Sequence, residues 1–388
     1  MTMMQRYVDV FLSPSTQHYF TNNTMVGIWW RQLSSYFWHS HFWLPSGIEW
    51  EDIAPTEELK YPNFQDVLVY PLLLSVVFIS LNFLLEPFIF GPLARAADIP
   101  NKRPCPPPPS KILERLYYRH GMKLPEKALL EACSSTDMTV RQVERWLRRR
   151  YVATQTSKYD KFVECGFNVI SHIVLTTYGV SIMVSKPWLW DISNCWENYP
   201  YHYIDDDVWW YYTIGLAYFW SATFLQILGP GRSVFDKMQM MLHHVFTILL
   251  MVFSWTCNFV RIGTLVLLVH ECADIPLLIA KMLVYANRKF LTDAIFVIFL
   301  ISWVITRNYL YPFWIMRSAF FDSQGYTKMP AAYLLKSLLC GLLLLNVVWT
   351  VLIGGVLVKK LRAGSIEDVR SDGEDLSEDN IKNGTKTE

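Results

Sequence analysis

MLHHVFTILLMVFSWTCNFVRIGTLVLLVHECADIPLLIAKMLVYA, residues 241–286, decides the fold. It holds two apolar runs, 241–258 and 262–286, joined by a turn near Phe259–Arg261. Each approaches the roughly 20 residues that a helix needs to cross a bilayer. Ionisable side chains in such runs cost about 2.5–3.5 kcal/mol each on insertion scales and mark function by default. Here His243 and His244 open the first run, and His270, Glu271 and Asp274 sit in the second.

An antiparallel hairpin centred on residue 260, rising about 1.5 Å per residue, sets Leu277 level with His243 and Asp274 level with Phe246. Asp274 then lies about one helical turn deeper than the His pair, and Glu271 and His270 about one turn deeper again. Positions 270, 271 and 274 share a face by their i,i+3 and i,i+4 spacing. A carboxylate that orients an imidazole fixes its tautomer and stabilises its charged form. Two His and two acids on one hairpin therefore point to a general base or nucleophile. The structural alternative is a polar clamp between helices.

The rest of the chain extends the pattern. Apolar runs at about 67–90, 162–184, 208–228, 241–258, 262–286, 293–316 and 333–358 predict an all-α, polytopic membrane bundle of about seven helices. The segment 92–161 carries 15 Lys and Arg, whereas the loop 185–207 carries only Lys186. This bias puts the first on the cytosolic side and the second in the lumen. Seven spans then leave the N-terminus luminal and the C-terminus cytosolic. No secretory signal is visible, and the first run reads as a signal-anchor. Asn22-Asn23-Thr24 is a glycosylation sequon on the luminal side, with Asn22 the acceptor. Cys195 and Cys257 both fall near the luminal face, where a pair is one reading and two free thiols the expected one.

The segments divide as 1–66, a luminal stretch whose Trp29-Trp30, Tyr36-Phe37-Trp38 and Phe42-Trp43-Leu44-Pro45 suit the membrane interface; 67–91, the first span; 92–158, a cytosolic module; 159–360, the membrane domain; and 361–388, an acidic cytosolic tail too poor in apolar residues to build a core. Ser371, followed by acids at 372, 374 and 375, resembles an acidophilic-kinase site.

Within the module, short helices are expected near 110–120, 125–134 and 139–152. Thr139 and Gln142 make a capping box for the last, and Val140, Val143, Trp146 and Leu147 share its packing face. That helix, Thr139-Val-Arg-Gln-Val-Glu-Arg-Trp-Leu-Arg-Arg-Arg150, resembles the recognition helix of a homeodomain. The adenine-reading Asn three residues after the Trp is Arg149 here, so no sequence-specific DNA binding is expected. The basic face suits phosphates or anionic headgroups.

The nine His make no HxxxH or HxxHH spacing in a span, which argues against a metal centre of the diiron lipid-oxidase kind. Lys281 lies near the cytosolic end of its span, where it can meet an anionic substrate. Arg307 and Asn308 lie mid-span and should pair within the bundle. His172 reads as a satisfied core histidine.

Several stretches carry a family likeness. Leu242-His-His-Val245, Phe253–Leu265, Val269-His-Glu-Cys-Ala-Asp-Ile275 and Ala280-Lys-Met282 resemble the Lag1 motif of the ceramide synthases, within the TRAM-Lag1-CLN8 fold. His41-Phe-Trp-Leu-Pro45, the homeobox-like module and Asp368-Val-Arg-Ser-Asp372 also resemble that family, so the likeness covers about residues 40–375. It implies acylation of a sphingoid base by fatty acyl-CoA in the endoplasmic-reticulum membrane. The family's His pair maps onto His243 and His244, and its two acids onto Glu271 and Asp274. The first acid is usually Asp, and Glu271 departs from that. No bound cofactor is implied, since acyl-CoA is a co-substrate. Basic residues of the module, Arg232 and Lys237 would hold its polyanionic head, with Lys281, His270 and Arg307 as further substrate contacts. Dimerisation with itself or related synthases is compatible with the likeness. So is a non-catalytic, lipid-sensing or chaperone-like role, although the complete set of His and acids argues against it. Whether a His only assists attack or first takes the acyl group stays open, as does acyl chain length, which the loop near 317–330 would influence.

Overall fold

The computed structural model describes residues 25–56, 60–101, 105–154, 156–229 and 234–363. Arg232, Asn22 and Ser371 lie outside them. Among the described residues there are helices and no strands. Helix α1 is Met25–Phe37 and α2 is Phe64–Leu85, which runs on through a wide π turn at Glu86–Phe90 to Ala96. Helices α3 (Lys111–His120), α4 (Glu126–Thr136) and α5 (Val140–Thr154) form the module. The bundle continues with α6 (Lys158–Met183), α7 (Asp206–Leu228), α8 (Val234–Thr256), α9 (Val260–Tyr285), α10 (Lys289–Trp303, extended by π-helical turns to Asp322) and α11 (Pro330–Ala363).

All seven expected runs are long helices, and six are apolar enough in composition to cross a membrane. The exception, α7, is rich in Trp and Tyr and starts with acids. It needs little lipid-facing surface, because α2, α6, α8 and α9 pack around it and Tyr211, Tyr212, Leu216 and Ala217 are buried. Around the bundle Leu73, Val76, Phe83, Leu344 and Val351 are exposed, a belt that only hydrocarbon would cover favourably.

The hairpin forms as expected. Helices α8 and α9 meet at Cys257–Phe259, where Asn258 takes a left-handed conformation (φ 57°). Its side-chain amide donates to the carbonyls of Pro200 and His202, both at 2.7 Å. Loop 187–205 thereby caps this hairpin end of the bundle. Trp196 donates to Ser318 at 2.9 Å and Tyr199 to the Cys257 carbonyl at 2.8 Å. Cys195 and Cys257 are free and buried, as expected.

The N-terminal stretch departs from a purely interfacial role. Helix α1 exposes Met25, Trp29, Leu33 and Tyr36, but Trp43 and Leu44 are buried in the bundle. Trp43 packs on Phe253 at 5.2 Å between ring centroids. Burial of so large an apolar surface outweighs the interfacial preference of a Trp.

The three module helices lie within two residues of their expected bounds. Their core is Leu113, Ala132, Val143, Trp146 and Leu147. Thr139 and Gln142 exchange capping hydrogen bonds at 2.8 and 3.4 Å. The module joins the membrane helices at both ends, since α2 extends to Ala96 and α6 begins at Lys158.

Candidate active site

Helix α8 brings in His243 and His244, both buried. The His243 ring lies 5.3 Å from Trp349 of α11, and its Nδ1 has no hydrogen-bond partner among the described residues. His244 Nδ1 lies 3.2 Å from the Thr223 hydroxyl of α7, which donates its own proton to the Phe219 carbonyl at 2.7 Å. The hydroxyl therefore accepts from His244, and Nδ1 carries that histidine's proton.

Helix α9 supplies His270, Glu271 and Asp274, but their partners are not the His pair. Glu271, 1% exposed, pairs with Nδ1 of His172 on α6. Asp274 accepts from Arg307 Nη2 at 3.2 Å. His270 donates through Nδ1 to the Val266 carbonyl at 2.8 Å, leaving its buried Nε2 without a partner among the described residues. The expectation of a carboxylate orienting His243 or His244 is thus corrected. The hairpin arithmetic fixed depth, but α6 and the widened α10 approach the acid-bearing face of α9 and take both carboxylates.

Arg307 pairs within the bundle, as its mid-span position requires. It is 1% exposed, donates to the His270 carbonyl at 2.5 Å and to Asn346 at 3.4 Å, and lies 5.2 Å over the Trp303 ring. Asn308 accepts from Thr350 at 3.1 Å. Both residues belong to the π-helical stretch Val304–Met316, which contains Pro312. A proline lacks the N–H that would close the helix ladder, and π turns recur at functional sites.

Two cavities meet at Phe219 and His243. One, of about 800 Å³, holds His172, Tyr218, His244, Asp274 and Arg307 in its wall, with Lys237 and Lys281 also lining it. The other is a narrow apolar cleft of about 70 Å³ running from His243 and His270 to Trp196, Ala319 and Ser323 at the hairpin end. Of the expected residues, His243, His244, Asp274, Lys237, Lys281 and Arg307 line the large cavity, His270 lines the cleft, and Glu271 stands behind His172.

Sequence reasoning missed Tyr218 and Asn168 and undervalued His172. Tyr218 OH lies 3.0 Å from His172 Nε2 and 3.3 Å from Asn168 Oδ1. The available signal was Asn168 and His172 at i,i+4 spacing in one span, two polar groups that need partners inside a membrane.

Fold and site together define a polytopic membrane protein with a His/carboxylate centre where a large cavity of mixed lining joins an apolar cleft. The TLC domain family model (TRAM_LAG1_CLN8) matches residues 161–354. The chain is 36% identical to human ceramide synthase 5, over 89% of this chain and 88% of the relative. It is 31% identical to bovine ceramide synthase 4, over 89% and 88%. Against ceramide synthase hyl-1 of Caenorhabditis elegans the identity is 31%, over 88% and 85%. The chain belongs to the ceramide synthase family of TLC-domain membrane proteins.

Proposed function

We propose that this protein is an acyltransferase that moves a fatty acyl group from acyl-CoA to the amine of a sphingoid base, giving a ceramide. The observation that carries this is the position of His243 at the junction of the two cavities. A thioester carbonyl at His243 has an apolar cleft for its chain on one side. On the other side is a large cavity for its polar head and for the acceptor. Lys237 and Lys281 line that cavity and suit the phosphates of CoA, with Arg232 of the adjoining segment as a further candidate.

His243, whose Nδ1 is uncommitted, is the candidate nucleophile. Its nitrogen attacks the thioester carbon, thiolate leaves, and the amine then displaces imidazole from the acyl group. Splitting the transfer in this way makes each step easier. The Lys and Arg distribution supports a luminal N-terminus and a cytosolic C-terminus, the family likeness supports the endoplasmic-reticulum membrane, and the sequon at Asn22 would then lie on the glycosylated side. The three-helix module is homeobox-like and serves the membrane surface or the CoA head, not a DNA sequence.

Purified protein given acyl-CoA and sphinganine should form the amide, and His243→Ala should abolish it. Acyl-CoA alone should leave protein carrying one acyl mass in intact-protein mass spectrometry. Absence of amide in the wild type refutes the transfer. An unmodified mass, with CoA released only when amine is present, refutes the covalent step.

A further inference from the structure

We infer that Tyr218, His172 and Glu271 form a proton relay that deprotonates the attacking amine, a unit separate from His243. This rests on the acyltransferase activity proposed above. An alkyl ammonium has no lone pair to attack with, so a base must take its proton. The two acids of the hairpin, Glu271 and Asp274, pair with His172 and Arg307 and not with His243.

His172 is oriented by a carboxylate. The Glu271 carboxylate accepts from its Nδ1–H, which turns the lone pair of Nε2 toward the Tyr218 hydroxyl at 3.0 Å. The Tyr218 proton has two acceptors, Nε2 at the shorter distance and Asn168 Oδ1 at 3.3 Å, and the relay uses the shorter one. Phe78 and Phe219 hold the Tyr218 ring edge-on, at 6.0 and 5.6 Å between centroids. Asn168, His172 and Tyr218 line the same cavity as His243 and Asp274. The phenolic oxygen is thus free to accept from an amine in that cavity.

In the step itself, the amine nitrogen, once freed of one ammonium proton, bonds to the acyl carbon, and the carbon's bond to the His243 nitrogen breaks with its electron pair. The ammonium's first proton passes to the Tyr218 oxygen as Tyr218's own proton passes to His172 Nε2. Glu271 stabilises the imidazolium. That proton leaves through the cavity and ends on the thiolate released when His243 was acylated, and the second N–H proton is shed to solvent as the amide forms, so thioester and ammonium become amide, thiol and one free proton. Tyr218 is the group that touches substrate, and His172 and Glu271 act through it.

The test compares two acceptors on full-length purified variants, sphinganine and an O-alkyl hydroxylamine of the same length. The second is neutral at pH 7 and loses its proton easily. Tyr218→Phe should lower turnover of sphinganine about 100-fold or more, the scale of a lost acid–base catalyst. It should lower turnover of the hydroxylamine far less. Glu271→Gln and His172→Gln should repeat the pattern, and they decide the matter if Tyr218→Phe does not fold. Equal losses on both acceptors, or sphinganine turnover within about threefold of wild type, overturn the relay. Failure of the wild type to make any amide sinks the acyltransferase activity instead.

Discussion

The guanidinium of Arg307 meets the carboxylate of Asp274 at 3.2 Å while donating to the backbone carbonyl of His270, one turn earlier on the same helix. One side chain from the π-helical stretch of α10 therefore fixes the turn of α9 that carries the site acids. Removing one partner of a buried pair leaves an uncompensated charge and costs about 3–5 kcal/mol. Arg307→Met should lose stability on that scale in denaturant titrations of the purified protein. Arg307→Met combined with Asp274→Leu should recover much of it, since no charge is then left alone. Additive losses in the double variant would show that the two residues do not couple.

Asp274 also faces the cavity, with its side chain 26% exposed. Asp274→Asn keeps shape and loses charge, so Arg307 loses its counter-ion beside the reaction centre. Amide formation per folded molecule should fall more than about 100-fold, beyond the stability that the unpaired guanidinium costs. Near-normal turnover of a purified variant would remove Asp274 from the site.

Packing supplies a sharper structural test at Gly263 in α9. A Cβ there would sit 2.2 Å from the hydroxyl of Tyr212, a buried residue bonded to Ser254 at 2.5 Å. Gly263→Ala should cost about 1–3 kcal/mol through overpacking. Gly354→Ala in α11 meets nothing within 4 Å. It should be neutral or gain about 0.5–1 kcal/mol from helix propensity. Melting temperatures of the two variants relative to wild type check both signs.

Much of this was legible in the sequence because it is local. Apolar runs set the helices, the Phe259–Arg261 turn set the hairpin, and Thr139 with Gln142 set the start of α5. Arg307 had to pair, since a mid-span guanidinium has nowhere else to go. What the sequence hid is which helix meets which face of α9. Glu271 and His172 are 99 residues apart, and no local period encodes that α6 packs there. The same holds for Trp43, whose burial depends on a gap beside Phe253 that only the assembled bundle provides.

The hairpin-end cap carries a pH-sensitive group. Burial pushes the His202 imidazole down to about 4, while its Nε2 donates to the Glu197 carbonyl at 2.6 Å. The folded state therefore binds fewer protons than the unfolded chain between pH 4 and the ordinary histidine value of about 6.5. His202's contribution is complete above that value and is lost as pH falls toward 4. Thermal stability of wild type should drop more between pH 7 and pH 5 than that of His202→Gln, which cannot titrate. Parallel pH profiles would show that His202 stays neutral for no energetic reason.

The apolar cleft should act as a ruler for the acyl chain. It starts at His243 and ends among Trp196, Ala319 and Ser323. Ala319 is 5% exposed, so added carbons there have only the far end of the cleft to fill. Ala319→Leu should leave short acyl-CoAs nearly as good as before, because their chains stop before that end. Long acyl-CoAs would have to leave methylenes unburied, each worth about 1–3 kcal/mol, or 10–200-fold. The ratio of kcat/KM for a long to a short saturated acyl-CoA should fall by at least about 10-fold. Because both substrates are measured on one variant, a partly unfolded preparation changes both rates and leaves the ratio alone. A ratio equal to that of the wild type would mean that the chain does not run along this cleft.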